Sequence, residues 1–280
     1  MAGEVPRNDA MQSLSDATFR AIAELMQAAV GLSFNGSKKP LVSSRLASRI
    51  QRLGLAGYQD YLDLISGPGA DGEFQVAVDL LTTNETYFFR EPAHYELLQG
   101  ELARLKPRAL SVWSAASSYG DEAYSTAMLL DEMQQRGIIG GDWAILGTDI
   151  SDRALRTGVE AVYPLERLRE VSPERLRRYC LRGDGESEGL VCIKPRLREH
   201  VRFGQINLCL PIGDIGLFDV IFLRNVLIYF DAPTKREVVD RVLGQLKPGG
   251  LFFIGTAEGR VACETPLQSL AAGAFRKLAA

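Results

Sequence analysis

The side chains of this 280-residue sequence that could take part in chemistry gather in a few short stretches. In residues 114–122, five small residues are followed by Tyr119, Gly120 and two acids. Small residues let a ligand approach the backbone closely, whereas acids at the start of a helix repel a phosphate. A single glycine excludes both the G-x-G-x-x-G fingerprint and the P-loop. The stretch therefore favours a neutral or cationic ligand.

A second stretch, residues 82–95, places polar side chains around three successive aromatic residues. A plain linker would be more polar and less aromatic. Asn84, Glu85, Thr86 and Arg90 are these polar residues, and Arg90 could bind an anion, because a guanidinium offers a planar fork of donors that matches a carboxylate. The segment either lies along the rim of a pocket with Arg90 directed at an anion, or is a connector pinned by aromatic burial.

Other polar residues stand near the ends of apolar runs. Asp149 comes near the end of the run 143–150, and Asn207 near the end of the run 201–208. An acid at the end of the second strand of a nucleotide-binding α/β domain typically accepts hydrogen bonds from ribose hydroxyls. Asp149 is therefore a candidate cofactor residue. Tyr229, in a later apolar run, either positions a substrate or packs in the core.

Four basic residues share one face of a predicted helix. Lys38, Arg45, Arg49 and Arg52 are spaced by seven, four and three residues, and no acidic residue interrupts them. Such spacing puts the side chains on one side of a helix. The face is either simply solvated or a docking surface for an acidic partner.

The elements that must position these residues follow from hydrophobic periodicity. Apolar spacing predicts a helical domain over 15–82, made of the helices 14–30, 40–53, 58–65 and 74–81. Residues 83–108 are predicted to be a linker segment carrying part of the active site. Strands alternate with helices over 109–280, so the fold class is α/β with a mostly parallel sheet and an inserted β-subdomain near 180–205. The predicted strands are 109–113, 143–150, 201–208, 218–230, 251–255 and 275–278.

Composition narrows the class of function. A net charge of −3 and a pI of about 5.6 give no global attraction to nucleic acid or to an anionic membrane. No apolar run reaches the length of a membrane-spanning helix, and no signal-peptide core is present, so we expect a cytoplasmic protein. The four cysteines are scattered and there are only two histidines, which predicts no metal site.

Six motifs in the same order resemble the CheR family of chemotaxis receptor glutamate methyltransferases. They are TTNETYFFR, WSAASSYGDEAYSTAM, LGTDIS, the pair Asn207-Leu208, RNVLIYFD and LKPGGLFFIG, and the segment that begins KKPLV resembles the family's N-terminal domain. The resemblance implies an all-α N-terminal domain followed by a Rossmann-like S-adenosylmethionine (AdoMet) methyltransferase domain. It implies methylation of glutamate side chains on the cytoplasmic helical domain of chemoreceptors, with S-adenosylhomocysteine as product. We expect a monomer that neither binds nucleic acid nor inserts into the membrane.

The resemblance also implies roles for single residues. Arg90 and Tyr229 are the predicted catalytic residues. The implied cofactor residues are Asn84, Thr86, Arg90, Glu122, Asp149, Asn207, Leu208, Asn225 and Val226. Glu122 is preferred to Asp121, because the second acid is the less variable in the family. Family members usually have Cys-Ser-Thr-Gly where this chain has 117–120, which places the bulky Tyr119 beside the cofactor loop.

Methyl transfer from a sulfonium to a glutamate needs little from a protein. The carboxylate has a reference pKa near 4.3, so it is ionised at neutral pH and needs no general base. What remains is to align the carboxylate oxygen, the methyl carbon and the sulfur. Two alternatives stay open, an AdoMet enzyme acting on another substrate and a non-catalytic AdoMet-binding protein.

Overall fold

The computed structural model describes residues 13–259 and 262–279. These residues form two compact units that divide between Thr83 and Asn84. The first unit is helical, with α1 (Asp16–Val30), α2 (Lys39–Arg52), α3 (Tyr58–Ser66) and α4 (Asp71–Leu81). Ser15 caps α1, since the Thr18 backbone N–H donates to the Ser15 hydroxyl at 3.0 Å. Residues buried from all four helices form the core of this unit.

The second unit opens with a helix, α5 (Pro92–Leu105), inside the stretch predicted to be a linker. Tyr95, Leu98 and Leu102 recur at helical spacing and are buried in the large apolar cluster of the unit. Pro92 starts the helix, as its fixed φ allows. The helix was not predicted, because the three aromatic residues that precede it favoured a connector or the rim of a pocket.

A seven-stranded sheet forms the centre of the second unit, in the order β6-β2-β1-β7-β8-β10-β9. Its first five strands are parallel and β10 pairs antiparallel with both neighbours. The strands are β1 (Ala109–Ser114), β2 (Asp142–Asp149), β6 (Val201–Gln205), β7 (Phe218–Leu223), β8 (Leu246–Ile254), β9 (Leu267–Ala271) and β10 (Ala274–Lys277). The predicted α/β fold class with a mostly parallel sheet is confirmed.

Alternate residues of the central strands supply two separate cores. Val112 and Phe222 belong to the cluster that includes α5 and α6 (Asp121–Gln135), whereas Trp113 and Leu223 belong to the cluster of α10 (Ala232–Gly244). Since successive side chains of a strand point to opposite faces, the sheet is covered on both faces. None of the helices in the described ranges is long and apolar enough to span a membrane.

The largest differences from the predicted strands are at β7, β8 and β9. β7 ends at Leu223, and the apolar run continues as a loop and a 3₁₀ helix, Leu227–Tyr229. Asn225 has a left-handed φ of 59°, which no strand residue adopts, so the chain must leave the sheet there. β8 starts at Leu246, ahead of the predicted start at residue 251. The edge strand β9 was not predicted, because its residues are mostly exposed and weakly patterned.

A second, three-stranded antiparallel sheet has the order β3-β5-β4. Its strands are β3 (Val162–Pro164), β4 (Cys180–Arg182) and β5 (Leu190–Ile193). This subdomain begins earlier than the insertion predicted near 180–205, and β6 belongs to the large sheet. The remaining helices are α7 (Asp152–Glu160), α8 (Pro173–Tyr179) and α9 (Pro195–Arg198).

Candidate active site

The carboxyl ends of β1, β2 and β7 meet at one edge of the sheet, because these strands are adjacent and parallel. Ser114 ends β1, Asp149 ends β2 and Arg224 follows β7. The chain builds outward from β1 to β2 and β6 on one side, then crosses to β7 and β8 on the other. Open α/β sheets bind ligands at such a switch point.

Asp149 anchors the loop that follows β1. It is 8% exposed, and its two carboxylate oxygens accept the backbone N–H groups of Ser118 at 2.8 Å and Ser151 at 2.9 Å. These bonds fix the orientation of the carboxylate. A carboxylate has about four lone-pair sites, so these two bonds do not by themselves exclude Asp149 as an acceptor for a ligand.

Three buried side-chain atoms of this loop and the helix start after it, and one atom of Asn84, have no hydrogen-bond partner within the part of the chain that the structure describes. They are Asn84 Nδ2, Ser117 Oγ, Ser118 Oγ and Asp121 Oδ1. Buried polar atoms are rarely left without a partner, so this group is suited to a polar ligand. Sequence reasoning named Asn84 but missed both serines, although the run of small residues marked their loop.

The bulky Tyr119 is accommodated by the β3–β4 connection. The Arg167 guanidinium lies 4.5 Å from the centroid of the Tyr119 ring and donates to Asp121 Oδ2 at 2.9 Å. Burial raises the pKa of Asp121 to about 6, although Arg167 opposes the shift. Tyr163 donates its hydroxyl proton to the Tyr119 carbonyl at 2.7 Å. Tyr119 is thus a packing partner of Arg167.

Glu122 is engaged by neighbours of its own. Its carboxylate accepts from the Ser114 hydroxyl at 2.6 Å and from Arg224 Nη1 at 3.0 Å. Burial raises the pKa of Glu122 in spite of Arg224. Sequence reasoning missed Arg224, whose side chain is only 2% exposed, because it lay inside a predicted strand.

Residues 84–91 form the Arg90 segment. Glu91, at its end, joins this segment to the loops that follow β7 and β8. Asn225 Nδ2 donates to one of its oxygens at 3.3 Å, and the Thr256 backbone N–H donates to the other at 3.2 Å. Arg224 lies 3.5 Å away. Burial would raise the pKa of Glu91, but Arg224 and the donated bonds lower it overall.

A second carboxylate holds the same two loops. Glu258 accepts the backbone N–H groups of Asn225 at 2.9 Å, Leu227 at 2.7 Å and Gly255 at 2.7 Å. The position of Asn225, a predicted cofactor residue, is therefore set by Glu258 and Glu91 together. Glu258 was not named as a site residue, since Asn225 and Leu227 are more than 30 residues away from it in sequence.

The backbone around Arg90 is held in an uncommon conformation. Phe89 and Glu91 have left-handed φ values of 56° and 58°, which non-glycine residues seldom adopt. The Phe89 N–H donates to the Ser125 hydroxyl at 2.9 Å, and Arg224 donates to the Arg90 carbonyl. The half-buried Arg90 side chain donates to the Glu85 carbonyl at 2.7 Å. The segment is thus tied to α6 and to the end of β7.

The remaining predicted residues lie around the same edge. Asn207 Oδ1 accepts the Cys209 backbone N–H at 3.0 Å, and Leu208 is buried in the cluster of α10. Val226 packs against that cluster, and Tyr229 is half-buried in the 3₁₀ helix after β7. Their roles toward a cofactor or substrate stay predictions.

The predicted basic face on α2 is only partly available to a partner. Arg49 forms two hydrogen bonds with Glu73, at 2.9 and 2.5 Å, and so lowers the pKa of that carboxyl. Arg45 donates to the carbonyls of Leu81 at 2.8 Å and Thr82 at 2.9 Å, at the C-terminus of α4. These two arginines therefore hold the helical unit together.

Lys38 and Arg52, in contrast, are exposed. Within the described ranges their side chains form no ion pair or hydrogen bond. They are the two residues of the predicted face whose charge is open to a partner.

Comparison with known proteins agrees with this architecture. The CheR methyltransferase all-alpha domain matches residues 17–82, and the CheR methyltransferase SAM binding domain matches residues 84–272. The chemotaxis protein methyltransferase of Escherichia coli (strain K12) is 40% identical over 88% of this chain and 85% of its own length. Chemotaxis protein methyltransferase 2 of Pseudomonas aeruginosa is 39% identical over 87% of this chain and 86% of its own length.

The fold and the site therefore define an S-adenosylmethionine-dependent methyltransferase domain preceded by an all-α domain. The chain belongs to the CheR methyltransferase family. Its cofactor is S-adenosylmethionine. The buried, unpartnered atoms of Asn84, Ser117 and Ser118 fit this molecule, which carries hydroxyl, ammonium and carboxylate groups.

The proposed ribose contact of Asp149 leads to a first prediction. Replacing Asp149 by alanine should weaken AdoMet binding by about 1.5–3 kcal/mol, the range for hydrogen bonds to a charged group. Titration calorimetry on the folded variant measures the change. Asp152→Ala is the matched control, because Asp152 is a nearby surface acid paired with Arg156. An unchanged affinity in Asp149→Ala would remove this residue from the cofactor site.

Proposed function

We propose that this protein methylates glutamate side chains on the cytoplasmic helical domain of chemotaxis receptors, as a protein-glutamate O-methyltransferase. The Arg90 segment is the observation that carries the proposal. It carries a guanidinium that can bind a carboxylate. Its backbone is attached to α6 and to the end of β7, at the sheet edge where the loop after β1 also lies. The related proteins are named chemotaxis protein methyltransferases, which supports a substrate in that system.

S-adenosylmethionine supplies an activated methyl group on a sulfonium. Asn84, Thr86, Asp149, Asn207 and Asn225 are the residues that we expect to hold it. Leu208 and Val226 supply apolar walls, and Glu122 contributes through its pair with Arg224.

The acceptor carboxylate is already ionised at neutral pH and requires no proton acceptor. The task of the protein is therefore to orient the carboxylate and to exclude water. Arg90 binds one or both oxygens of the acceptor, and Tyr229 restricts where the acceptor lies. No step needs a metal ion or a histidine base.

The function is tested by incubating the protein with methyl-labelled AdoMet and receptor cytoplasmic fragments. We expect label in the receptor that mild base releases as methanol, since a carboxyl methyl ester hydrolyses readily. Base-stable label, or label in small molecules only, would indicate another methyltransferase. AdoMet binding without any transfer would indicate a non-catalytic protein.

The two open charges at the ends of α2 give a second prediction, on substrate docking: Lys38 directly precedes the helix and Arg52 is its last residue. Lys38→Glu combined with Arg52→Glu should slow methylation of intact receptor at low salt and flatten its salt dependence, because complementary charge mainly speeds encounter. AdoMet affinity should stay unchanged, because the cofactor residues belong to the methyltransferase unit. Methylation rates across a salt series measure the effect.

The control for net charge is Lys106→Glu with Arg136→Glu, which reverses two exposed charges of the other unit. If Lys38→Glu with Arg52→Glu leaves the rate of receptor methylation at low salt unchanged, these two residues are exposed to solvent and do not bind the receptor. The reversal Arg45→Glu with Arg49→Glu would not be informative, because both residues hold α2 against α4.

A further inference from the structure

The 3₁₀ helix Leu165–Leu168 and the residue after it run alongside the Arg90 segment. The Phe88 backbone N–H donates to the Arg167 carbonyl at 3.2 Å. The Arg167 side chain donates in turn to the Thr86 carbonyl at 3.4 Å. This connection from the small sheet is therefore attached to the segment that carries Arg90, with Arg169 at its end.

Arg169 is held in place by stacking on Tyr87 and pairs only loosely with the neighbouring Glu170. Its guanidinium carbon lies 4.2 Å from the centroid of the Tyr87 ring, within the range of a cation–π contact. The side chain is 59% exposed, and the neighbouring Glu170 is 3.8 Å away, too far for a hydrogen bond. Stacking fixes the plane of the guanidinium and leaves its N–H donors available to a ligand.

Tyr87 belongs to the same turn as Arg90. The Arg90 backbone N–H donates to the Tyr87 carbonyl at 3.4 Å, which closes a four-residue turn. The Arg90 guanidinium is at one end of this turn, and the Arg169 guanidinium is stacked on the side chain at the other end. One arginine thus belongs to the turn, and the other stacks on a side chain of the same turn.

We propose that Arg169, stacked on Tyr87, forms a second anion-binding subsite that takes another carboxylate of an acidic acceptor protein, close to the glutamate bound by Arg90. The inference rests on the proposed function, which supplies the acidic acceptor. Arg169 touches no reacting atom in this arrangement. It should therefore strengthen binding of the acceptor and leave the methyl-transfer step unchanged.

The test is a double-mutant cycle between Arg169 and the acceptor. A fluorescently labelled receptor fragment is prepared with its native acids and with the acids flanking the acceptor glutamate changed to glutamine. Binding to the full-length protein loaded with S-adenosylhomocysteine is measured by anisotropy, and ester formation is measured in parallel. Arg169→Gln should weaken binding of the native fragment by about three- to fivefold, the size of a rim-exposed ion pair.

The cycle identifies the partner of Arg169. The glutamine fragment should bind wild type and Arg169→Gln about equally, and Tyr87→Leu should lose part of the same discrimination. Arg104→Gln is the control, because Arg104 is a similarly exposed arginine on α5 with its own partner, Glu101. KM should rise in Arg169→Gln while kcat stays within about twofold.

Equal loss of affinity for both fragments, or no loss for either, would overturn the subsite. That outcome leaves the proposed function intact if the receptor is still esterified. Coupling in the binding cycle without any ester formation would instead overturn the proposed function and keep the subsite.

Discussion

Arg90→Ala is expected to reduce methyl transfer by about a hundredfold or more. A loss of this size is ordinary when a group that positions a reactant is removed. Arg90 can orient a carboxylate with two parallel N–H donors, and no other side chain of its turn offers that fork. The measurement is kcat/KM for the receptor fragment, beside calorimetry with AdoMet.

The lysine variant distinguishes geometry from charge. Arg90→Lys should restore little activity, because an ammonium group is a point charge and cannot reproduce a planar fork. Its circular dichroism spectrum should match that of the parent, since the backbone of the turn is held by Ser125 and Arg224 and not by the Arg90 side chain. Near-full activity in Arg90→Lys would mean that Arg90 contributes only charge.

Arg224→Met should lower the free energy of unfolding by about 3 kcal/mol. Removing one partner of a buried ion pair leaves an uncompensated charge, and the usual cost is about 3–5 kcal/mol. Here the methionine variant would leave Glu122 and Glu91 next to each other without their shared cation. Urea denaturation with a check on the m-value measures the loss.

The loss in Arg224→Met should depend on pH in a defined direction. Without Arg224, burial should raise the pKa of Glu122 further above its unfolded value, and the pKa of Glu91 should lose the lowering that Arg224 causes and rise as well. A group with a raised pKa stabilises the native state at low pH and loses that contribution as pH rises through its folded pKa. The deficit of the variant should therefore be smaller near pH 5 than near pH 8. A pH-independent deficit would mean that lost packing, and not uncompensated charge, is the cause.

Arg104→Met is the control for this stability measurement. Arg104 forms an exposed pair with Glu101, and such pairs contribute about 1 kcal/mol or less. If Arg224→Met and Arg104→Met had the same free energy of unfolding, the pairing of Arg224 with Glu122 and Glu91 would stabilise the fold no more than an exposed ion pair does.

The sequence by itself determined the class of fold and where in the chain the site would be sought. Helix and strand periods can be recognised from neighbouring residues, so α1 to α4, β1 and β2 were predicted close to their observed bounds. The run of small residues 114–118 and the acid at Asp149 were visible for the same reason. Both follow strands, and adjacent parallel strands bring their carboxyl ends to one edge.

Only the tertiary structure shows which charged side chains are paired and where β7 ends. Spacing put Arg45 and Arg49 on one face of a helix, but only the packing of α4 against α2 supplied the carbonyls and the Glu73 carboxylate that bind them. In the sequence, Arg224 only interrupts a predicted strand. The folded structure shows that it pairs with Glu122 and Glu91, which are more than 100 residues away in sequence. Pairing between distant side chains depends on how elements pack, and no pattern within one element encodes it.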